Sequence, residues 1–166
     1  MTQGVGLDVV PLDAAAAEQG ERRHAQAAGE KIFHDRNDIL IATHCEDDRL
    51  VKARTEMYMQ KYGEQIPFEC HAEIRNEEVC LNSSSYAVEL AKKFNSRLHV
   101  FHLSTADELK LFRNDIPLKE KRITSEICVH HLWFDKNDYA KLGSKIKCNP
   151  AIKEAHHKRA LFEAML

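Results

Sequence analysis

Residues 39–48, ILIATHCEDD, run apolar for four positions and then end in a histidine, a cysteine and three acids. The stretch 98–105, LHVFHLST, repeats that ending. An apolar run this short reads as a buried strand, and each is followed by a helical pattern. After the first, residues 48–62 keep helical character and stop at Gly63. After the second, Thr105 starts a short helix with Leu109 and Phe112 on one face.

The rest of the chain continues the alternation. Ser83–Ser85 would cap a helix over YAVELAKKF, where Val88, Ala91 and Phe94 keep helical spacing, while 66–80 is ambiguous. KRITSEICV at 121–129 reads as a third strand, 145–148 as a short extended piece, and 154–165 as a helix. Strand, helix, strand, helix, strand is the order of a parallel α/β sheet or barrel. Residues 1–30 stand apart as an alanine-rich leader, either a solvent-exposed helix or poorly ordered, ahead of the folded part at 31–166.

Charge excludes some partners. Lys plus Arg is 24 and Asp plus Glu is 26, so there is no electrostatic reason to expect nucleic acid or a membrane surface. No apolar run approaches the roughly 18–20 residues that span a bilayer. The five cysteines are odd in number, widely spaced and form no CxxC pair, which argues against a disulfide framework or a structural zinc module. A reducing, cytoplasmic setting is expected. GxSxG, P-loop and GxGxxG patterns are all absent.

In parallel α/β folds the C-terminal strand ends open onto the ligand crevice or the catalytic rim. His44 and His102 fall there on consecutive strands. Two neutral imidazoles from adjacent strands can share one divalent metal, which activates water by lowering its pKa. A lone strand-end histidine is also commonly a hydrogen-bonded structural residue, so both readings stand. Glu46, Asp47 and Asp48 suit the positive end of the following helix, or could orient His44. His99 should face away from His102. His130 and His131 reach the rim or pack, His156 and His157 lie on a charged helix and should be solvated, and His24, His34 and His71 have no evident partner. Asn149, before Pro150, fits a turn and also offers an amide donor and acceptor.

Together, IATHCEDD, LHVFHLSTADEL, ITSEICVHHLWF and KCNPAIK, in this order and spacing, resemble the dihydroorotases of the amidohydrolase superfamily, in the branch shared with allantoinases and hydantoinases. The resemblance covers about residues 31–166, and HCED at 44–47 favours dihydroorotase over the hydantoinases. It implies a partial (βα)8 TIM barrel of the metal-dependent amidohydrolase type, covering about strands five to seven. It further implies one or two Zn2+ ions, reversible hydrolysis of dihydroorotate to N-carbamoyl-aspartate in pyrimidine synthesis, and a small-molecule substrate. By resemblance His44 and His102 are metal ligands and Asn149 contacts substrate. The family's first-strand His-x-His pair with the arginine just after it, and its fourth-strand bridging lysine or aspartate, have no counterpart in this sequence. Its general-base aspartate would fall beyond Leu166. The expectation is therefore a truncated or mis-started chain, inactive or nearly so by itself, with self-association through exposed barrel edges. The alternatives are a non-catalytic scaffold, an allantoinase or hydantoinase relative, or a small unrelated α/β metal-binding module.

Overall fold

The computed structural model describes residues 26–166, so most of the leader expected over 1–30, His24 included, lies outside the described residues. A helix, α1, runs through 26–35 and buries Phe33. Three strands follow in chain order: β1 (Leu40–Thr43), β2 (Arg97–Val100) and β3 (Ile123–Ser125). They form one parallel sheet in the order β1-β2-β3. The helices are α2 (Asp48–Tyr62), α3 (Cys70–Ile74), α4 (Glu77–Phe94), α5 (Ala106–Leu109), α6 (Val129–Trp133), α7 (Tyr139–Leu142) and α8 (Ala155–Glu163). The α/β reading therefore holds.

Sheet register sets the geometry of everything that follows. Thr43 pairs with Val100, and Val100 with Ser125, so the three strands end level. The ladder continues one step past them, with Phe101 N–H donating to Thr43 O and Glu126 N–H to Val100 O. Residues leaving the strands thus emerge on one rim.

Helix ends follow local chemistry. The Asp47 carboxylate caps α2 by accepting from Arg49 N–H, Asp48 lies in the first turn and Lys61 in the last, complementing the helix dipole. Gly63 ends α2 at φ +63, a conformation a Cβ would strain. The expected cap at Ser83–Ser85 is wrong. Helix α4 starts two turns earlier, with Asn76 Oδ1 accepting from Val79 N–H, so the serines lie inside it. Ser84 is buried there and spends its hydroxyl on a carboxylate. Asn95, in the left-handed region, closes α4.

One face of α4 carries Val79, Cys80, Ala87, Val88 and Ala91, all buried. The main core joins Ala87, Val88, Leu90 and Ala91 to Phe33, Leu98 and Val100 of β2, Leu103 and Leu161. Fully burying a Leu or Val is worth about 1.5–3 kcal/mol, and Leu98, Val100 and Val88 are at most 1% exposed. A second, smaller cluster of Ala72, Tyr139, Ile146, Ala151 and Ile152 fixes the segment that carries Asn149.

Three expectations need correction. β1 is a strand but not a buried one: as the outer strand of the described sheet it leaves Leu40 48% exposed. β3 is only three residues long, because its partner β2 ends at Val100 and residues 129–133 coil into α6. The extended piece expected at 145–148 is instead a 3-10 turn over Gly143–Ile146.

Candidate metal and substrate site

His44 and His102 meet on the rim. His44 Nδ1 and His102 Nε2 are 2.5 Å apart, and the rings stack with centroids 4.7 Å apart at 29°. Ordinary N–H hydrogen bonds run about 2.7–3.2 Å, so two ring nitrogens are pressed together at one point. Sheet register brings them there, since the residues after Thr43 and Val100 leave adjacent strands side by side. His102 also adopts φ +42, a left-handed backbone that is uncommon outside glycine. Strain of this kind persists where the surroundings over-determine it, and it clusters at functional sites. The second nitrogen of His102, Nδ1, is buried and has no hydrogen-bond partner from another of the described residues. Burial lowers the His102 pKa below the ordinary imidazole value, and the neighbouring His44 adds to the effect. Its neutral, lone-pair-bearing form is the stable one.

The acids after His44 do not orient it. Asp47 caps α2, and Glu46 turns away to Arg75, 2.6 Å from its guanidinium. Burial raises the Glu46 carboxyl pKa despite that partner, and its Oε1 is buried without a hydrogen bond. Asn149 is exposed and lines a cleft of about 290 Å³ together with His71, Arg75, Lys147 and Phe68. Neither His44 nor His102 lines that cleft. The two are linked through Arg75, which forms part of the cleft wall and binds Glu46, two residues after His44.

The remaining histidines divide by partner. His99 bonds Thr124 Oγ1 and approaches Glu126. His71 donates Nε2–H to Cys148 O, and His34 bonds Asp35, so both have partners that the sequence did not suggest. His156 is exposed as expected, whereas His157 is 2% exposed. It turns inward because its Nδ1 accepts Ala106 N–H, joining α8 to α5. Two groupings place three metal-competent atoms within 4.8 Å of one another: Cys128, His130 and His131, and Glu77, Glu154 and His157. Neither grouping includes His44 or His102.

Sequence reasoning missed a polar network behind the rim. Glu108 is 2% exposed and accepts from Ser84 Oγ, Thr105 Oγ1 and Ser104 N–H. Lys153 is 3% exposed and donates to Ser104 Oγ and Ala151 O. The Thr-x-x-Glu spacing of 105–108, a capping-box pattern, was the signal that could have singled out Glu108.

No family model matches the chain. A dihydroorotase of Methanosphaera stadtmanae is 29% identical over 118 residues, 70% of this chain and 27% of its own length. An allantoinase of Streptomyces avermitilis is 36% identical over 75 residues, 45% of this chain and 17% of its own length. Among solved structures, a D-hydantoinase superposes with a TM-score of 0.74 at 18% identity, covering 84% of this chain and 31% of that one. The chain thus spans less than a third of the length of these relatives. Further dihydroorotases, 26–29% identical, match more than three quarters of this chain, so over that span the chain is similar to dihydroorotases.

Proposed function

We propose that this chain carries part of the active site of a metal-dependent cyclic amidohydrolase acting on dihydroorotate, built on strands five to seven of a (βα)8 barrel. The observation that carries the reading is the convergence of His44 Nδ1 and His102 Nε2 at the ends of adjacent parallel strands. The pair fits a divalent cation such as Zn2+, because both groups are imidazoles leaving adjacent strand ends and burial holds one of them neutral. A bound Zn2+ supplies Lewis-acid chemistry, polarising an amide carbonyl and acidifying water.

The protein's own residues supply position. The left-handed backbone at His102 fixes the direction of its ring, and the ladder bond from Phe101 to Thr43 fixes the strand ends relative to each other. Asn149 offers an amide, and Lys147 a positive charge, from the neighbouring cleft to the polar edge of an anionic cyclic substrate such as dihydroorotate that reaches across to the histidine pair. Catalytic zinc usually takes three protein ligands and a water, and no third donor joins the pair among the described residues. The isolated chain therefore binds metal and substrate weakly and turns over little. No described helix is long and apolar enough to cross a membrane, and the five cysteines are free, which suits a reducing compartment.

The test is binding of dihydroorotate, allantoin and hydantoin to the purified chain with and without Zn2+. Zinc-dependent binding that prefers dihydroorotate and is lost in His102→Ala and Asn149→Ala supports the reading. Preference for allantoin or hydantoin, or binding indifferent to those substitutions, overturns it. A second reading, a non-catalytic segment that associates with another chain, draws on Ile39, just before the outer strand β1, and Leu40 on it, which are 40% and 48% exposed. Size-exclusion chromatography checks it: a monodisperse monomer contradicts it.

A further inference from the structure

Beyond the His44–His102 pair, the structure places a thiol and two imidazoles together where β3 gives way to α6. We propose that Cys128, His130 and His131 form a second binding site, for a borderline-soft divalent cation such as Zn2+ or Co2+. The three ligand atoms lie within 4.8 Å of one another. Bond lengths of about 2.3 Å to sulfur and about 2.0–2.1 Å to nitrogen let side-chain rotation alone draw such a group around one ion.

The tautomer of His131 is what separates this cluster from a chance grouping. Its Nε2 lies 3.0 Å from Pro150 O, and a carbonyl only accepts, so Nε2 carries the hydrogen. Nδ1 is then the lone-pair nitrogen. It is buried, in a residue only 3% exposed, and has no hydrogen-bond partner among the described residues. A ligating histidine characteristically donates its other N–H to a carbonyl in this way, which fixes ring orientation and raises ligand basicity. The His130 ring lies beside it, with centroids 4.4 Å apart. Cys128 and His130 are half-buried, so an ion can reach the site from solvent and a water can complete its shell. Binding releases the Cys128 thiol proton to solvent and makes a sulfur–metal bond, so affinity rises with pH.

The Glu77–Glu154–His157 grouping lacks this logic. There His157 Nδ1 accepts a main-chain N–H, so its free nitrogen Nε2 carries the hydrogen and offers no lone pair.

The experiment is a Co2+ titration of the full chain followed by near-ultraviolet absorption, because only a thiolate ligand gives sulfur-to-cobalt charge transfer. The expected result is a charge-transfer band saturating with one equivalent. Cys128→Ser abolishes it, and His131→Gln weakens the cobalt affinity at least tenfold, with circular dichroism confirming that both variants fold. The band persists in Cys148→Ser and in the His44→Ala, His102→Ala double variant. Absence of the band, or a band that survives Cys128→Ser, overturns the proposal. A band lost in the double histidine variant overturns it too, since the ion would then belong to the rim pair.

Discussion

Two groups of polar side chains gather around the loop that follows β2, and they are held in opposite ways. Behind the rim, both oxygens of Glu108 are filled by Ser84, Ser104 and Thr105, and Lys153 is fixed by Ser104 and Ala151, all of it buried. On the rim, His44 is exposed, His102 sits on a left-handed backbone, and among the described residues the two facing nitrogens bond only each other. A fully satisfied buried network stabilises and specifies a fold. A strained, half-open pair of imidazoles contributes little to stability and suits a ligand from outside. Structure and chemistry are thus separated by only a few residues along the same loop.

The sharpest break of this contrast is Glu108→Ala. It leaves three buried donors, Ser84 Oγ, Thr105 Oγ1 and Ser104 N–H, without their acceptor. At about 1–3 kcal/mol for each buried donor left unpaired, the expected cost is on the order of 3–5 kcal/mol in all, read by urea denaturation. A loss near zero would mean the network is not structural.

Next in size is a pH effect. Burial lowers the His157 pKa below the ordinary imidazole value, with His156 and Lys153 acting in the same direction against Glu77 and Glu154. The unfolded chain therefore binds this proton more readily than the folded one. The stability from neutral His157 is intact above the unfolded value of about 6.5 and is lost as pH falls below it, by at most about 1.4 kcal/mol per pH unit. His157→Gln should flatten that slope in denaturation curves taken from pH 7.5 to 5, and an unchanged slope would contradict the assignment.

His102→Gly asks whether strain is stored for function. Glycine accepts φ +42 without penalty, so thermal unfolding should show no loss of stability and a gain of up to about 1 kcal/mol, while metal binding at the rim disappears. Destabilisation would place His102 with the structural network instead. The smallest effect is expected for His44→Ala, within about 0.5 kcal/mol in stability because the side chain is exposed.

What could be read from the sequence follows the same divide. Periodicity and capping placed β2, α2 and the start of α5 to within a residue, because Gly63, Asp47 and Thr105 act locally. The meeting of His44 and His102 was also legible, since parallel strands of similar length end level. Long-range facts were not. Ser84 sits mid-helix because it reaches Glu108, 24 residues away in sequence, and His157 turns inward for a main-chain group 51 residues away. A lysine in an NPAIK turn gives no local sign that it will be buried.

The account rests most directly on the two rim imidazoles accepting one cation between them. Long-range proton–nitrogen correlation spectra of the histidine rings, recorded during Zn2+ titration, report each ring nitrogen separately. The account predicts that His44 Nδ1 and His102 Nε2 move together to metal-bound shifts at the same zinc equivalent. Movement of only one, or of neither while His130 and His131 respond, would contradict it.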